Sequence, residues 1–199
     1  MQQRTFKYLA LAATLSLSLS ACVTSPTVGS GNVSYGDAKA VEQVSNEFGS
    51  TDLQMIAESM ARSLAQSYAG QRTKPLVTIA EVKNKTSEFI DTRSVTDSIR
   101  VQLLKSGTFR FATDITGMQN QTDELVRQNQ SGMYKKSAAA KMGKMEGAKY
   151  RIEGNITSIV KRNSDVKDVY YKFSMIMTDN ESGTIEWADE KEIRKTSKR

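Results

Sequence analysis

The chain has 199 residues, 38% hydrophobic and 25% charged, with 28 basic against 22 acidic side chains, one Cys and no His. That length suits one domain with short appendages rather than two full domains. Without histidine there is no Ser-His-Asp or Cys-His nucleophile and no His-ligated metal, and one cysteine excludes internal disulfides and CxxC sites.

The N-terminus reads as a targeting segment. Arg4 and Lys7 precede a run rich in Leu, Ala and Ser from Tyr8 to Leu19. Such a run is too short for a permanent membrane helix, which needs about 20 residues. Residues 1–21 are therefore expected to be a signal peptide. Leu19-Ser20-Ala21-Cys22 places two small residues directly before the only cysteine. The arrangement resembles the lipobox of bacterial lipoproteins, which implies that Cys22 becomes the first mature residue and carries the acyl chains. Several acyl chains anchor a protein far more firmly than one. Val23 rather than Asp follows the cysteine, and by resemblance to Gram-negative sorting rules this implies the outer membrane, with the domain facing the periplasm. Loss of Arg4 and Lys7 with the leader lowers the formal charge from +6 to +4.

Residues 22–49 read as the lipidated cysteine and a tether. The stretch after Cys22 is rich in Ser, Gly and Thr and has Pro26 alone, a composition of flexible linkers. Val41, Val44 and Phe48 are spaced for a short amphipathic turn. The domain is expected over residues 50–199, ending in a short basic tail.

Within the domain, Thr51 with Gln54 three residues on forms a candidate capping box. Leu53, Ile56, Met60, Leu64 and Tyr68 then recur at helical spacing, with Ala57, Ala61 and Ala65 beside them, up to Gly70. Leu76–Val82 alternates as a strand, and Asn84-Lys85-Thr86 is expected as its exit loop. Asp91 or Thr92 opens a second helix whose face is Val95, Ile99, Leu103 and Leu104, ended by Gly107. Phe109–Phe111 starts a second strand. A short helix is expected near Asp123–Gln128 and another over Ser137–Glu146, with Gly147 closing it. Tyr150–Val160, Val169–Thr178 and Ile185–Ile193 read as three strands, the last two joined through Asn180-Glu181-Ser182-Gly183. The pattern predicts an α/β domain of α+β character, a single sheet of about four to five strands with helices packed mainly on one face.

Charge lies in blocks. Tyr134–Arg162 is basic through eight Lys and Arg, whereas Asn163–Glu190 carries seven acids against Lys167 and Lys172. The blocks read as solvated surface or as a face for an acidic periplasmic partner. An exported, tethered protein is not expected to bind nucleic acid.

Little catalytic chemistry is visible. No GxxxxGK, GxGxxG or metal-ligand cluster occurs, so no catalytic, cofactor or metal residues are assigned. Glu81, Glu88, Asp91 and Asp97 flank one strand-to-helix junction and suit capping or solvated roles better than a carboxylate pair. Trp187 lies in an alternating strand, where packing on the sheet is its ordinary role. Asn84 and Thr86 suit a tight turn through bonds to nearby backbone. A polar loop leading from a strand into a helix is also where binding residues sit, so Asn84, Lys85 and Thr86 are candidate partner contacts.

The lipobox, STDLQ opening a Met-bearing helix, VKNKTSEFIDT, DSIRVQLLKSGTFRF, EGAKYRIEGNI and ESGTIEWADEKEIRK together resemble the LpoB family of outer-membrane lipoproteins, over about Ser50 to Lys195. The resemblance implies a non-catalytic, monomeric activator of a bifunctional class A penicillin-binding protein. It would dock on a periplasmic accessory domain of that synthase and stimulate glycan polymerisation and peptide cross-linking, with no cofactor. The wider superfamily includes curli-type secretion lipoproteins sharing the Asn-basic-Thr turn, so a structural or assembly lipoprotein of a curli-type or flagellar machine is the second reading. The tether departs from the family's long, Pro-rich one.

Overall fold

Helix α1 (Ser50–Ser67) forms where Ile56, Met60 and Leu64 recur on one stripe, and all three are completely buried, with Ala57 and Ala61 beside them. The computed structural model describes residues 36–198. The start of α1 differs from the expected capping box. Gly49 is the N-cap, and its N–H donates to the Asp52 carboxylate at 2.9 Å. A carboxylate in the first turn also meets the positive end of the helix dipole, and Glu42 adds a second by accepting the Ser50 N–H at 2.8 Å. Thr51 and Gln54 instead hold the incoming chain: the Thr51 hydroxyl accepts the Glu42 N–H at 2.8 Å and Gln54 donates to the Ala38 carbonyl at 2.7 Å.

The expected strand Leu76–Val82 is broken. Strand β1 (Leu76–Ile79) pairs in parallel with β4 (Tyr150–Arg162) through Val77↔Tyr150, and the chain rejoins the same strand as β2 (Lys83–Lys85) through Asn84↔Ile156. Between them Val82 buries its side chain and sends its N–H to the Thr96 hydroxyl at 3.0 Å. A buried donor needs a partner, and here a helix supplies it in place of the sheet. Asn84 and Lys85 are therefore strand residues, and only Thr86 lies in the following loop.

Thr96 belongs to helix α2 (Thr92–Ser106), capped by Asp91, whose Oδ1 accepts the Ser94 N–H at 3.1 Å. Val95, Ile99 and Leu103 are fully buried, whereas Leu104 turns to solvent and leaves the expected face. Gly107 ends the helix at φ +69°, a left-handed conformation that suits glycine. Strand β3 (Arg110–Phe111) then pairs in parallel with β1.

Helix α3 (Ile115–Gln130) is much longer than the expected Asp123–Gln128, and the Asp114 carboxylate caps it by accepting the Gly117 N–H at 2.7 Å. The helix expected over Ser137–Glu146 does not form; that run is turns and bends, and Gly147 closes no helix. Met142 and Met145 remain half exposed, so a helix there would bury no apolar face to offset its nucleation. Gly143 interrupts the run at φ +72°. Gln128 and Asn129 of α3 hold the segment through both backbone groups of Ala140.

Strands β4, β5 (Val166–Asp179) and β6 (Ile185–Lys198) form an antiparallel meander. The order is β3-β1-β4-β5-β6, with β2 also on β4. The architecture is thus α+β, three helices and a mixed sheet of six strands, with helices packing on the sheet. Alternation in β5 puts Val169, Tyr171, Phe173, Met175 and Met177 into the core with α1 and α2, and Trp187 of β6 packs at its margin.

The expected signal peptide, Cys22 and residues 23–35 of the tether lie outside the described residues. A compact unit begins at Ala38. Phe48 packs edge-on against Tyr171, with ring centroids 5.8 Å apart, and Asn46 is buried. Val41 and Val44 stay exposed, so of the three apolar residues of the expected amphipathic turn only Phe48 packs on the domain. Among the described residues no helix is long and apolar enough to cross a membrane.

Candidate partner-binding surface

The loop leaving β2 is closed by its own side chains. Asn84 Oδ1 accepts the Thr86 N–H at 2.9 Å, while Asn84 Nδ2 donates to the Glu88 carbonyl at 2.8 Å. The Thr86 hydroxyl lies 2.8 Å from Asn84 Oδ1 and 3.1 Å from the Glu88 carbonyl, and accepts the Glu88 N–H at 3.3 Å. Asn84 and Thr86 therefore shape the turn, as short polar side chains do when they replace backbone partners. Lys85 is exposed and carries the charge outward from a fixed base.

Beneath the turn, Glu88 fastens it to the domain. One carboxylate oxygen accepts the Phe48 N–H at 3.1 Å, and the other accepts the phenol O–H of Tyr171. Burial, followed by the bond to Glu88, pushes the Tyr171 phenol far above its ordinary pKa, so it remains a donor. Asn46 completes the seam by donating to the Lys167 carbonyl at 3.2 Å.

The next residue is the outlier. Ile90 is buried, but Phe89 is 94% exposed. One exposed apolar side chain is ordinary; this one stands on a turn whose neighbours are tied down on both sides. The backbone beneath the ring is already fixed, so covering it orders little more of the chain, and aromatics are over-represented among the side chains that carry interface energy. Lys85 and Phe89 are thus a cationic and an aromatic side chain, both exposed, at the two ends of this turn. The turn is legible in the sequence but Phe89 is not, because no local pattern separates the exposed Phe89 from the buried Ile90 beside it.

The four carboxylates of the junction have structural duties. Glu81 accepts the Thr92 hydroxyl at 3.0 Å, Glu88 binds Tyr171, Asp91 caps α2 and Asp97 pairs with Arg100. No group of three Asp, Glu or Cys able to hold a metal occurs among the described residues. A groove of about 500 Å³ runs between α1 and α2 past Leu53, Ala57, Ser94 and Val101. It is open and lacks the converging buried polar groups of a small-molecule site.

Residues 52–193 match the family model described as peptidoglycan-synthase activator LpoB. Among solved structures, the LpoB C-terminal domain from Escherichia coli is similar at 15% identity and TM-score 0.44, over 71% of this chain and 98% of that one. The corresponding domain from Salmonella enterica is similar at 14% and 0.43, over 72% and 99%. Lipoprotein GNA1162 from Neisseria meningitidis is similar at 13% and 0.41, over 62% and 84%. No curated protein sequence matches the chain.

Proposed function

Because the chain belongs to the LpoB family of peptidoglycan-synthase activators, we propose that it is a non-catalytic, monomeric lipoprotein that binds and activates a bifunctional class A penicillin-binding protein. The family match over residues 52–193 is the observation that carries this reading. Cys22, freed by removal of residues 1–21, anchors the protein in the outer membrane, and the domain faces the periplasm. While residues 38–48 stay bonded to the domain, residues 22–37 of the proposed tether supply the reach. Sixteen residues span at most about 55 Å.

The turn that carries Lys85 and Phe89, braced by Asn84 and Thr86, is the surface offered to the synthase. Activation needs no chemistry from the activator. A domain that binds the active state of the synthase more tightly than the resting state shifts the population by that difference.

The test uses the chain without its first 22 residues and a purified synthase. Stimulated glycan polymerisation is expected, with Phe89→Ala and Lys85→Ala each weakening binding about tenfold or more, as loss of an interface anchor does, while the domain stays folded. Failure of the unmodified chain to bind or stimulate any class A synthase would refute the function. Full activity of Phe89→Ala together with Lys85→Ala would refute the surface.

A further inference from the structure

The run from Ser131 to Lys149 contains neither helix nor strand. Irregular connections of this length are uncommon in small domains and are often functional. Its apolar side chains remain in water: Met133 is 73% exposed, and Met142 and Met145 are each 50% exposed. Lysines alternate with them. Lys135, Lys136, Lys141 and Lys144 are all exposed, and none forms a salt bridge among the described residues. The one carboxylate of the run, Glu146, is taken by Arg110 at 2.8 Å. The segment therefore presents unneutralised positive charge and flexible thioethers together.

We propose that the segment from Met133 to Met145 docks the domain on a phospholipid surface rich in anionic headgroups. Ammonium groups at the headgroup level pair with phosphates, while unbranched methionine side chains fill the irregular space between acyl chains. The segment has no regular structure to present a defined shape, and its charge and thioethers are spread along it rather than gathered around one anchor. A fluid bilayer requires no shape, only charge and apolar reach. On the proposed Cys22 anchor the domain is also held near a bilayer, so even a weak contact acts at high effective concentration. Docking does not depend on the activator role, and it implies that a domain resting on lipid must detach before extending.

The test is sedimentation of the chain lacking its first 22 residues with vesicles of phosphatidylcholine alone or mixed with phosphatidylglycerol. Binding is expected only with phosphatidylglycerol, and it should fall steeply with added salt. Replacing Lys135, Lys136, Lys141 and Lys144 by Gln should lower partitioning by about fivefold per lysine, and the four Arg replacements should retain it. Met142→Ser with Met145→Ser should weaken it with the charge unchanged. Three results would overturn the proposal: no binding to anionic vesicles, binding that persists in high salt, or lysine-dependent binding to a synthase domain without vesicle binding. The first two leave the synthase reading untouched, and the third would support it while removing the lipid contact.

Discussion

The carboxylate of Asp52 and the ammonium of Lys195 meet at 2.9 Å across 143 positions of sequence, joining the first turn of α1 to the last strand. Asp52 is only 3% exposed at its side chain and Lys195 17%. The same carboxylate oxygen takes the Gly49 N–H, and Lys195 also donates to the Glu47 carbonyl. One ion pair thus fixes where the chain enters α1, where α1 lies on β6, and where Glu47 rests.

Removing one partner of such a pair strands the other. Lys195→Met is expected to cost about 3 kcal/mol, the scale for an uncompensated buried charge. Asp52→Asn combined with Lys195→Met should recover part of that loss, because Asn keeps an oxygen for Gly49. Urea unfolding of the two singles and the double forms a cycle. A double variant at least as unstable as the sum of the singles would contradict the account.

Alkaline pH should unfold the domain through its tyrosines. Burial raises Tyr171 well above the ordinary phenol range, and Tyr68 is pushed up to about 12 by burial first and by Tyr150 second. Unfolded phenols lose protons near pH ~10, while these two keep theirs in the folded chain. Stability is therefore fully present below pH ~10 and falls as pH rises through 12 and beyond. Tyr171→Phe should flatten that fall while lowering neutral stability. Denaturant midpoints across the alkaline range, beside phenolate absorbance, check both effects.

Adjacent leucines in α2 should behave differently. Leu103 is fully buried and Leu104 is 47% exposed. Leu103→Ala is expected to cost about 2–5 kcal/mol through lost burial and a cavity. Leu104→Ala should stay within about 1 kcal/mol, since exposed positions change stability little. Equal effects would mean that the helix is rotated from the orientation described.

Gly154 of β4 has no room for a methyl group. A Cβ there would lie 3.0 Å from the Phe173 ring and 3.2 Å from the Ser174 carbonyl. The backbone oxygen can give way only by moving the β4–β5 ladder. Gly154→Ala is expected to cost about 1–3 kcal/mol, and Gly154→Ala with Phe173→Leu should relieve the ring contact only. Thermal unfolding of both variants reports this directly.

Legibility in the sequence followed the strength of local period and burial. The stripe of Ile56, Met60 and Leu64 and the alternation of Tyr171, Phe173, Met175 and Met177 repeat over many residues, and both are core. Asp91 and Gly107 bound α2 as their side-chain chemistry requires. Failures arose where distant groups competed for local ones. Thr51 looks like a cap, but Gly49 is the N-cap, its N–H held by Asp52, while Thr51 binds Glu42. Val82 looks like a strand residue, but Thr96 takes its N–H. Ser137–Glu146 has helical composition and nothing to pack against. In the candidate surface, Asn84 and Thr86 were visible as turn formers, whereas exposure of Phe89 depends on Glu88 reaching Tyr171 from another part of the chain.

The bonds of residues 38–48 to the domain have a mechanical consequence. A pull arriving along the chain from the N-terminal side first meets Ala38 on Gln54, then Glu42 on Thr51 and Ser50, and then Phe48 on Glu88 and Tyr171. These attachments are loaded one after another, so weak bonds yield singly and dissipate tension before α1 is strained. Each release adds up to about 3.5 Å of extended chain per residue freed, so the leash can lengthen under load while the folded body stays intact.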